Sequence, residues 1–298
     1  MTVIAERACA KINLFLRVTG RRENGYHELD SIFLPVSFAD EVRVEVEPAE
    51  EILISLDCNI AALASSQSNL ASRAARAFMR EFDLTATVRI QLAKNIPVGS
   101  GLGGGSSDAG TVLRIMAQMV PEVIREEPAR LHDIALSLGA DVPFFLDPHP
   151  SRVTGVGERI APLQAIPQLP LVIAIPPFEV ATAAVFRALD PDSWSGPAPD
   201  SDIDAILRGE ITPAITVNDL APIAIGQFRE IGRLKVLLQD LGARAAQMSG
   251  SGGAVFGVFH TLEEAERAAA NLQRRAPFAT VVSATTLSSE TSGESPAA

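Results

Sequence analysis

The segment with the most chemical content lies between Lys94 and Asp108, where the sequence reads KNIPVGSGLGGGSSD. Five glycines fall between Gly99 and Gly105. An apolar stretch typical of a strand precedes the glycines, and an apolar stretch typical of a helix follows them. Glycines allow the main chain to approach a ligand closely, and the first amides of a helix can donate to phosphate oxygens. The segment therefore predicts a phosphate-binding loop with no lysine inside it.

Other glycine-rich motifs explain this segment less well. The spacing Gly99-x-Gly101-x-x-Gly104 matches the dinucleotide fingerprint, but residues 121–123, where an acidic residue should end the next strand, form no convincing strand end. A Walker A loop requires Gly-Lys-Ser/Thr, and protein kinases carry H-R-D and D-F-G elements. None of these strings occurs in the chain. A flexible glycine turn is the structural alternative, and the strand–loop–helix context favours phosphate binding.

Four other residues have side chains suited to chemistry, and three of them also have a structural interpretation. Asp141 lies in Gly-Ala-Asp-Val-Pro, where aspartate commonly caps a helix or stabilises a turn. Lys11 is flanked by apolar residues, which is an uncomfortable place for a solvated strand-edge charge. Tyr26, the only tyrosine, stands beside His27, and this pair suits a pyrimidine that is stacked on one ring and hydrogen-bonded by the other. His27 is alternatively a turn histidine.

The composition of the chain excludes several classes of partner. The 298 residues include 36 acidic and 25 basic ones, for a net charge of −11, with no run of Lys or Arg, so binding to nucleic acid is not expected. The most apolar segment, Leu169 to Phe178, is short and interrupted by prolines, and residues 1–16 lack the apolar stretch of a signal peptide. Cys9 and Cys58 form no C-x-x-C pair. We expect a cytoplasmic protein without disulfides or membrane contact.

Alternating strands and helices must position these residues. In the first half, the patterns predict strands over 8–18, 29–38, 41–47 and 87–92, and helices over 69–82, 106–119 and 128–137. In the second half, they predict strands over 171–175, 244–248, 254–259 and 279–286, and helices over 182–189, 203–207, 220–241 and 262–274. This order is typical of a two-layer α+β sandwich in the second half.

The glycine- and proline-rich segment 152–168 is the predicted crossing between two domains. The first domain is expected over residues 1–158 and the second over residues 159–287. Residues 288–298 are small and polar, and we expect a disordered tail there.

Four groups of residues together resemble the GHMP kinases. The glycine segment matches their phosphate motif P-x-x-x-G-L-G-S-S-A, with Pro97 and Gly101-Leu-Gly in register. The other groups keep the family's order along the chain: AKINLFL and GYHEL at 10–16 and 25–29, LGADVPFF and GVGE at 138–145 and 155–158, and MSGSGGAVF at 248–256. The doubled glycine before Ser106 and the Gly-Tyr-His string are similar to the branch of the family that acts on a cytidine diphosphate alcohol.

The resemblance implies an α+β fold of two domains. The N-terminal domain would be a ribosomal-protein-S5-like α/β domain that binds the nucleotide, and the C-terminal domain a ferredoxin-like α+β sandwich. The implied reaction is ATP-dependent phosphorylation of the 2-hydroxyl of 4-diphosphocytidyl-2-C-methyl-D-erythritol, a step of the non-mevalonate isoprenoid pathway. Mg²⁺ would arrive with ATP, because the four histidines show no metal-ligand spacing. The oligomeric state is expected to be a monomer or a homodimer.

Two alternative functions stay open at this point. The chain could be another GHMP kinase, acting on mevalonate, homoserine or a sugar, although such substrates offer no base for Tyr26 and His27 to stack. It could also be a non-catalytic nucleotide-binding module, although Lys11 and Asp141 would then have no chemical role.

The resemblance assigns a role to each candidate site residue. Asp141 would be the base that accepts the proton of the hydroxyl, and Lys11 would stabilise the developing negative charge. Substrate would contact Asn13, Tyr26, His27, Thr182, Phe186, Gly250 and Ser251, although Phe186 could instead be a core residue and Gly250 part of a tight hairpin turn. The purine of ATP would contact Asn69, Leu70 and Lys94. The rest of ATP would contact the glycine segment, namely Pro97, Val98, Gly99, Ser100, Gly101, Leu102, Gly103, Gly104, Gly105, Ser106 and Ser107.

Overall fold

Two long antiparallel strands, β1 (Thr2–Arg21) and β2 (His27–Pro48), form the centre of the first sheet. The structure is a computed structural model, and it describes residues 1–64, 68–164 and 166–288. Within β2, Val42, Val44 and Val46 are buried while the residues between them face outward, as the alternation predicts. Three register shifts interrupt the pairing of β1 with β2, and Lys11 and Asn13 lie between two of them. Such bulges bend a strand locally and redirect its side chains.

The remaining strands of the first sheet flank this pair. They are β3 (Leu53–Cys58), β4 (Ala86–Ala93), β5 (Ser151–Gly155) and β6 (Arg159–Pro162), in the order β3-β4-β2-β5-β6. β3 runs parallel to β4, and the chain between them contains α1 (Ala61–Ala64) and α2 (Leu70–Glu81). α3 (Gly104–Ala117) and α5 (Pro128–Leu138) pack with α2 over one apolar core, and α4 (Pro121–Glu126) lies between them in sequence.

The second sheet is antiparallel and has the order β10-β7-β9-β8. Its strands are β7 (Pro170–Ile175), β8 (Ala245–Met248), β9 (Val255–Val258) and β10 (Thr280–Thr285). α8 (Ala221–Gln227), α9 (Arg229–Asp240) and α10 (Leu262–Arg275) share an apolar core with this sheet, while α6 (Thr182–Arg187) and α7 (Asp200–Leu207) precede them in the chain. The second half therefore has the predicted two-layer α+β arrangement.

Several elements differ from the sequence prediction. The helix predicted over 220–241 is two helices, because Phe228 has an extended backbone (φ −133°, ψ 95°) that ends α8 and precedes α9. Strand β3 and helix α4 were not predicted. Segment 152–168 is not only a connection, because β5 and β6 form a hairpin of the first sheet within it. Among the described residues, we find no helix with the length and apolar character to cross a membrane.

The domain division at 158/159 stays a prediction, and β6 shows that the first sheet includes residues up to Pro162. The predicted tail, apart from Ser288, lies outside the described residues.

Gly110 allows α3 to pack closely on the turn that follows α5. A Cβ atom at Gly110 would lie 2.5 Å from the Cβ of Phe145 and 2.9 Å from its carbonyl carbon. We expect Gly110→Ala to lower the free energy of unfolding by about 1–3 kcal/mol, because the backbone at Phe145 must move. Gly226→Ala is the matched control, since a Cβ there meets nothing within 4 Å in α8, and it should stabilise by about 0.5–1 kcal/mol. Urea unfolding of both variants measures the two changes, and equal effects would contradict the packing argument.

Candidate active site

The glycine segment has a backbone conformation that depends on its glycines. Gly101 and Gly103 have φ values of +84° and +74°, which side chains rarely tolerate. Gly103 is the residue that caps α3, and no side chain in the described part of the chain accepts a hydrogen bond from the first amides of this helix. The N–H groups of these amides therefore point outward from the N-terminal end of α3, where an anion can bind.

A second glycine turn, Ser249–Gly253, packs directly against the first loop. A Cβ atom at Gly101 would lie 2.5 Å from the carbonyl oxygen of Ser249 and 2.9 Å from the Cα of Gly252. The Ala254 amide donates to the Ser100 carbonyl at 2.9 Å. Since the first loop precedes α3 and the second turn joins β8 to β9, this contact joins the two halves of the chain.

Strand β1 anchors the first loop and presents Lys11 beside it. The Lys11 amide donates to the Leu102 carbonyl at 2.9 Å, and the Ser107 hydroxyl donates to the Cys9 carbonyl at 2.7 Å. Ser107 is fully buried, whereas Ser106 is half-buried. Of the two predicted serines, Ser106 is therefore the more accessible to a ligand.

Lys11 and Asp141 lie close together at this loop. The Lys11 ammonium is 3.5 Å from Asp141 Oδ2, donates to Asn13 Oδ1 at 2.5 Å, and lies 4.5 Å from the centre of the Phe33 ring. The Lys11 side chain is 5% exposed, so it is not a solvated strand-edge charge, while the Asp141 side chain is 33% exposed. Asp141 sits in a turn, but Val142 rather than Asp141 caps the following 3₁₀ helix, Pro143–Leu146. The pair thus places a buried cation against a carboxylate that solvent can reach.

Lys94 occupies a different electrostatic environment from Lys11. Its ammonium donates to Asp40 and, at 2.8 Å, to Asp108, and all three side chains are buried. Burial lowers the pKa of Lys94, but the Asp108 and Asp40 carboxylates outweigh this effect and raise it. The ammonium is thus already bound to two carboxylates, and its predicted contact with the purine of ATP stays a prediction.

The other residues predicted to contact the purine lie at the start of α2. Asn69 caps this helix, because its side-chain oxygen accepts from the Ala71 amide at 2.9 Å. Leu70 is half-buried, and a Cβ at Gly105 would lie 3.7 Å from its Cδ1 atom. Leu70 is therefore next to the phosphate loop, while Asn69 has a structural hydrogen bond of its own.

An aromatic cluster forms around His27. Its ring stacks on Phe186 with centroids 5.3 Å apart and an interplanar angle of 27°, and Trp194 meets it edge-on at 5.8 Å. Burial, with a smaller contribution from Arg21, lowers the pKa of His27 and favours the neutral ring. Tyr26 is 65% exposed and is available to a ligand. The structure thus brings together His27 and Phe186, two of the residues predicted to contact the substrate.

Thr182 and Ser251 also meet across the site, although they are 69 residues apart in sequence. Their hydroxyl oxygens are 2.7 Å apart. Thr182 begins α6, and Ser251 lies in the second glycine turn. This contact brings the segment that carries Phe186 next to the turn that includes Gly250.

Sequence reasoning missed four residues that shape the site. Asp40 and Asp108 bind Lys94, Trp194 backs His27, and Asn218 donates to the carbonyls of Met248 and Gly250 at 2.8 Å each. One signal was available: Asp108 is an acidic residue in the first turns of an otherwise apolar helix, where burial demands a partner. The other three come from distant parts of the chain.

No group of three or more His, Cys, Asp or Glu side chains within the described parts of the chain could hold a metal ion. A cavity of about 1490 Å³ is lined by residues other than the predicted site residues, among them Cys9, Arg114 and Leu287.

Comparison with known proteins identifies the family. The model of the GHMP kinase N-terminal domain matches residues 69–147, and the model of the GHMP kinase C-terminal domain matches residues 204–277. The 4-diphosphocytidyl-2-C-methyl-D-erythritol kinase of Citrifermentans bemidjiense is 38% identical over 92% of this chain and 96% of its own length. The enzyme of that name from Thermus thermophilus is 40% identical over 89% of this chain and 91% of its own length.

The chain belongs to the 4-diphosphocytidyl-2-C-methyl-D-erythritol kinase family of the GHMP kinases.

Solved structures agree with this assignment. A crystal structure of a 4-(cytidine 5'-diphospho)-2C-methyl-D-erythritol kinase has a TM-score of 0.81 and 38% identity, and the match covers 95% of this chain and 99% of that one. A homoserine kinase from Cytophaga hutchinsonii, 16% identical with a TM-score of 0.74, shares the fold. The predicted two-domain α+β GHMP fold is confirmed, and the chain is an ATP-dependent small-molecule kinase.

The buried Asp108 carboxylate predicts a particular dependence of stability on pH. Burial raises its pKa from 3.8 to about 7, with a further rise from Asp40 and an opposing effect from Lys94. Between these values the folded protein holds a proton that the unfolded chain has lost, so this group lowers stability as the pH rises from 4 to 7. Asp108→Asn has no such proton. Its unfolding free energy minus that of the wild type should therefore increase across this window, by at most about 1.4 kcal/mol per pH unit.

Thermal and urea unfolding at pH 4 to 7 measures this difference. The exposed Asp133→Asn is the control, and it should follow the wild type. Parallel curves for Asp108→Asn and the wild type would show that Asp108 is ionised throughout.

Proposed function

We propose that this chain transfers the γ-phosphoryl group of ATP to the 2-hydroxyl of 4-diphosphocytidyl-2-C-methyl-D-erythritol. The observation that carries the proposal is the pair of Lys11 and Asp141, 3.5 Å apart, next to the glycine loop that precedes α3. Relatives of this name, about 38% identical over most of the chain, support the choice of substrate. An acceptor without a nucleobase, such as mevalonate or homoserine, would leave the aromatic cluster at His27 without a ligand to stack on it.

The triphosphate of ATP is proposed to lie on the amides from Gly101 to Ser107. The free first turn of α3 supports this placement, because a helix N-terminus attracts anions and its amides donate to them. The purine would then lie towards Leu70, whose side chain is close to Gly105. Pro97, Val98 and Ser100 would shape the entry to the loop.

Asp141 is proposed to take the proton of the 2-hydroxyl as that oxygen attacks the γ-phosphorus. The bond between the γ-phosphorus and the bridging oxygen of ADP breaks as the new one forms, and the proton leaves with the Asp141 carboxylate. The Lys11 ammonium is held by Asn13 at the loop, where it can stabilise the charge on the transferring group. Because Lys11 has little exposure to water, its charge acts in a medium of low dielectric.

Mg²⁺ is proposed to bind together with ATP rather than at a resident site. Asp141 and Ser106 fit such an ion chemically, because a carboxylate and a hydroxyl are oxygen ligands and both side chains are partly exposed; the phosphates would supply further oxygen ligands. When bound, Mg²⁺ neutralises charge on the phosphate oxygens.

The cytidyl end of the substrate is proposed to stack between Tyr26 and Phe186, with His27 reading its edge. The neutral state of His27 suits this role, because a neutral ring both donates and accepts hydrogen bonds. The substrate diphosphate would lie near Gly250 and Ser251. We also propose that the protein acts in the cytoplasm as a monomer or a homodimer, with its two domains divided after residue 158.

Asp141→Asn tests the base. Asparagine keeps the shape of the side chain but cannot accept the proton, so kcat should fall by about 100-fold or more while the KM for ATP changes little. A coupled ADP-release assay with the cytidyl substrate measures both constants. Asp147→Asn is the matched control, because Asp147 is six residues away and 83% exposed, and it should retain wild-type turnover. Near-normal kcat in Asp141→Asn would remove Asp141 from the chemistry.

Phe186→Leu tests the aromatic cluster. Loss of the ring removes a stacking surface worth roughly 1–3 kcal/mol per base, so the KM for the cytidyl substrate should rise about tenfold at unchanged KM for ATP. Phe82→Leu is the control, because Phe82 lies at the end of α2 and contacts Phe78 instead.

The wild type should also phosphorylate the cytidyl substrate in preference to mevalonate. The reverse preference would exclude the proposed substrate.

A further inference from the structure

The second glycine turn carries amides that donate to nothing in the described structure. Within the turn, the Ser249 amide donates to the Ala254 carbonyl, but the amides of residues 250–253 have no acceptor among the described residues. Buried main-chain amides nearly always have a partner. Gly252 and Gly253 are buried and Ser251 is half-buried, so the turn has unused donors at the candidate site.

One side chain determines how this turn is oriented. Asn218 is 4% exposed, and its Nδ2 atom donates to the carbonyls of Met248 and Gly250 at 2.8 Å each. Its Oδ1 atom accepts from the Leu220 amide at 2.9 Å. Both amide hydrogens and one lone pair are thus engaged, and neither aspartate nor leucine can reproduce this set of contacts.

Asn218 is itself fixed to strand β1. The Leu16 amide donates to the Val217 carbonyl at 2.8 Å, and the Asp219 amide donates to the Leu16 carbonyl at 3.0 Å. β1 also carries Lys11 and Asn13. The same strand therefore fixes the positions of both the second glycine turn and Lys11. Asn13 strengthens this link, since its main-chain N–H donates to the Ser249 hydroxyl at 3.2 Å.

The Gly250 carbonyl sets the direction of the next amide. The C=O and N–H groups of a trans peptide point in opposite directions. The described chain contains no cis peptide, so the Ser251 N–H points away from Asn218. An anion on that side of the turn would meet this N–H.

We propose that Asn218 is a positioning residue that aims the Ser251 amide at the diphosphate of the cytidyl substrate. This inference rests on the proposed function, and it deepens it by assigning the pyrophosphate oxygens to a main-chain donor. Asn218 is too deeply buried to touch the substrate and acts through the turn alone. The neutral carboxamide also matters, because a carboxylate at this position would repel the Met248 and Gly250 carbonyls and the nearby diphosphate.

Asn218→Asp is the direct test. Aspartate keeps the size and the acceptor for the Leu220 amide but loses both donors, so the Gly250 peptide is free to turn. Calorimetric titration with CDP and with cytidine separates the diphosphate from the base. The wild type should bind CDP at least about tenfold more tightly than cytidine, as expected for charge-assisted hydrogen bonds. Asn218→Asp should lose this preference while its affinity for cytidine and the KM for ATP change less than about twofold.

Thr286→Val is the matched control. It removes a buried hydroxyl that accepts from the Leu169 amide at 2.9 Å, outside the candidate site, so it should lower the melting temperature but keep the preference for CDP. A second measurement uses the wild type alone: the amide proton of Ser251 should shift downfield in NMR spectra when CDP is added, and not when cytidine is added.

The outcomes separate this inference from the proposed function. If the wild type prefers CDP but Asn218→Asp does so equally, or if the Ser251 resonance does not move with CDP, the positioning role is wrong and the proposed function stands. An equal loss of CDP, cytidine and ATP binding in Asn218→Asp would show a purely structural role and overturn the inference. If the wild type binds neither CDP nor cytidine, the proposed substrate is wrong, and this inference is wrong with it.

Discussion

Two stretches of main chain meet at Gly101 and Gly252, with no room for a side chain between them. The first loop begins α3, the second turn joins β8 to β9, and the Ala254 amide bonds the Ser100 carbonyl across the contact. Because both segments are mostly glycine, their amides rather than their side chains form the surface of the site. A chain with a net charge of −11 can therefore bind phosphate groups without a cluster of cations.

The two lysines of the candidate site, Lys11 and Lys94, are both buried but differ in the number of acidic groups that contact them. Lys94 contacts two buried acidic groups, Asp40 and Asp108, and the three side chains form a buried cluster beneath the start of α3. Lys11 has one carboxylate, the solvent-accessible Asp141, at 3.5 Å and a neutral amide at 2.5 Å, so fewer acidic groups surround it than surround Lys94. Lys94 is thus held by two acidic partners within the protein, whereas the surroundings of Lys11 are consistent with its proposed role at the transferring phosphoryl group.

Much of the fold could be predicted from local patterns. The alternation of Val42, Val44 and Val46, the glycine segment before α3 and the amphipathic α10 all have short-range signals that tertiary packing did not override. The split of the helix at Phe228 and the extra strand β3 were missed, because apolar spacing alone does not show where a chain bends or which edge strand it extends. The GHMP fold was recognised from motifs distributed over the chain, and the family comparison confirmed it.

The sequence by itself determined the types of functional group in the candidate site. They are a glycine loop before a helix, a lysine within an apolar strand, an aspartate in a tight turn and an aromatic pair. Each of these depends on residues close together in the chain. Tertiary structure alone decided which groups are partners, because Asp40 with Lys94, His27 with Trp194 and Asn218 with Gly250 are separated by 30 residues or more. Long-range pairs follow from the packing of the two sheets, which no local spacing encodes.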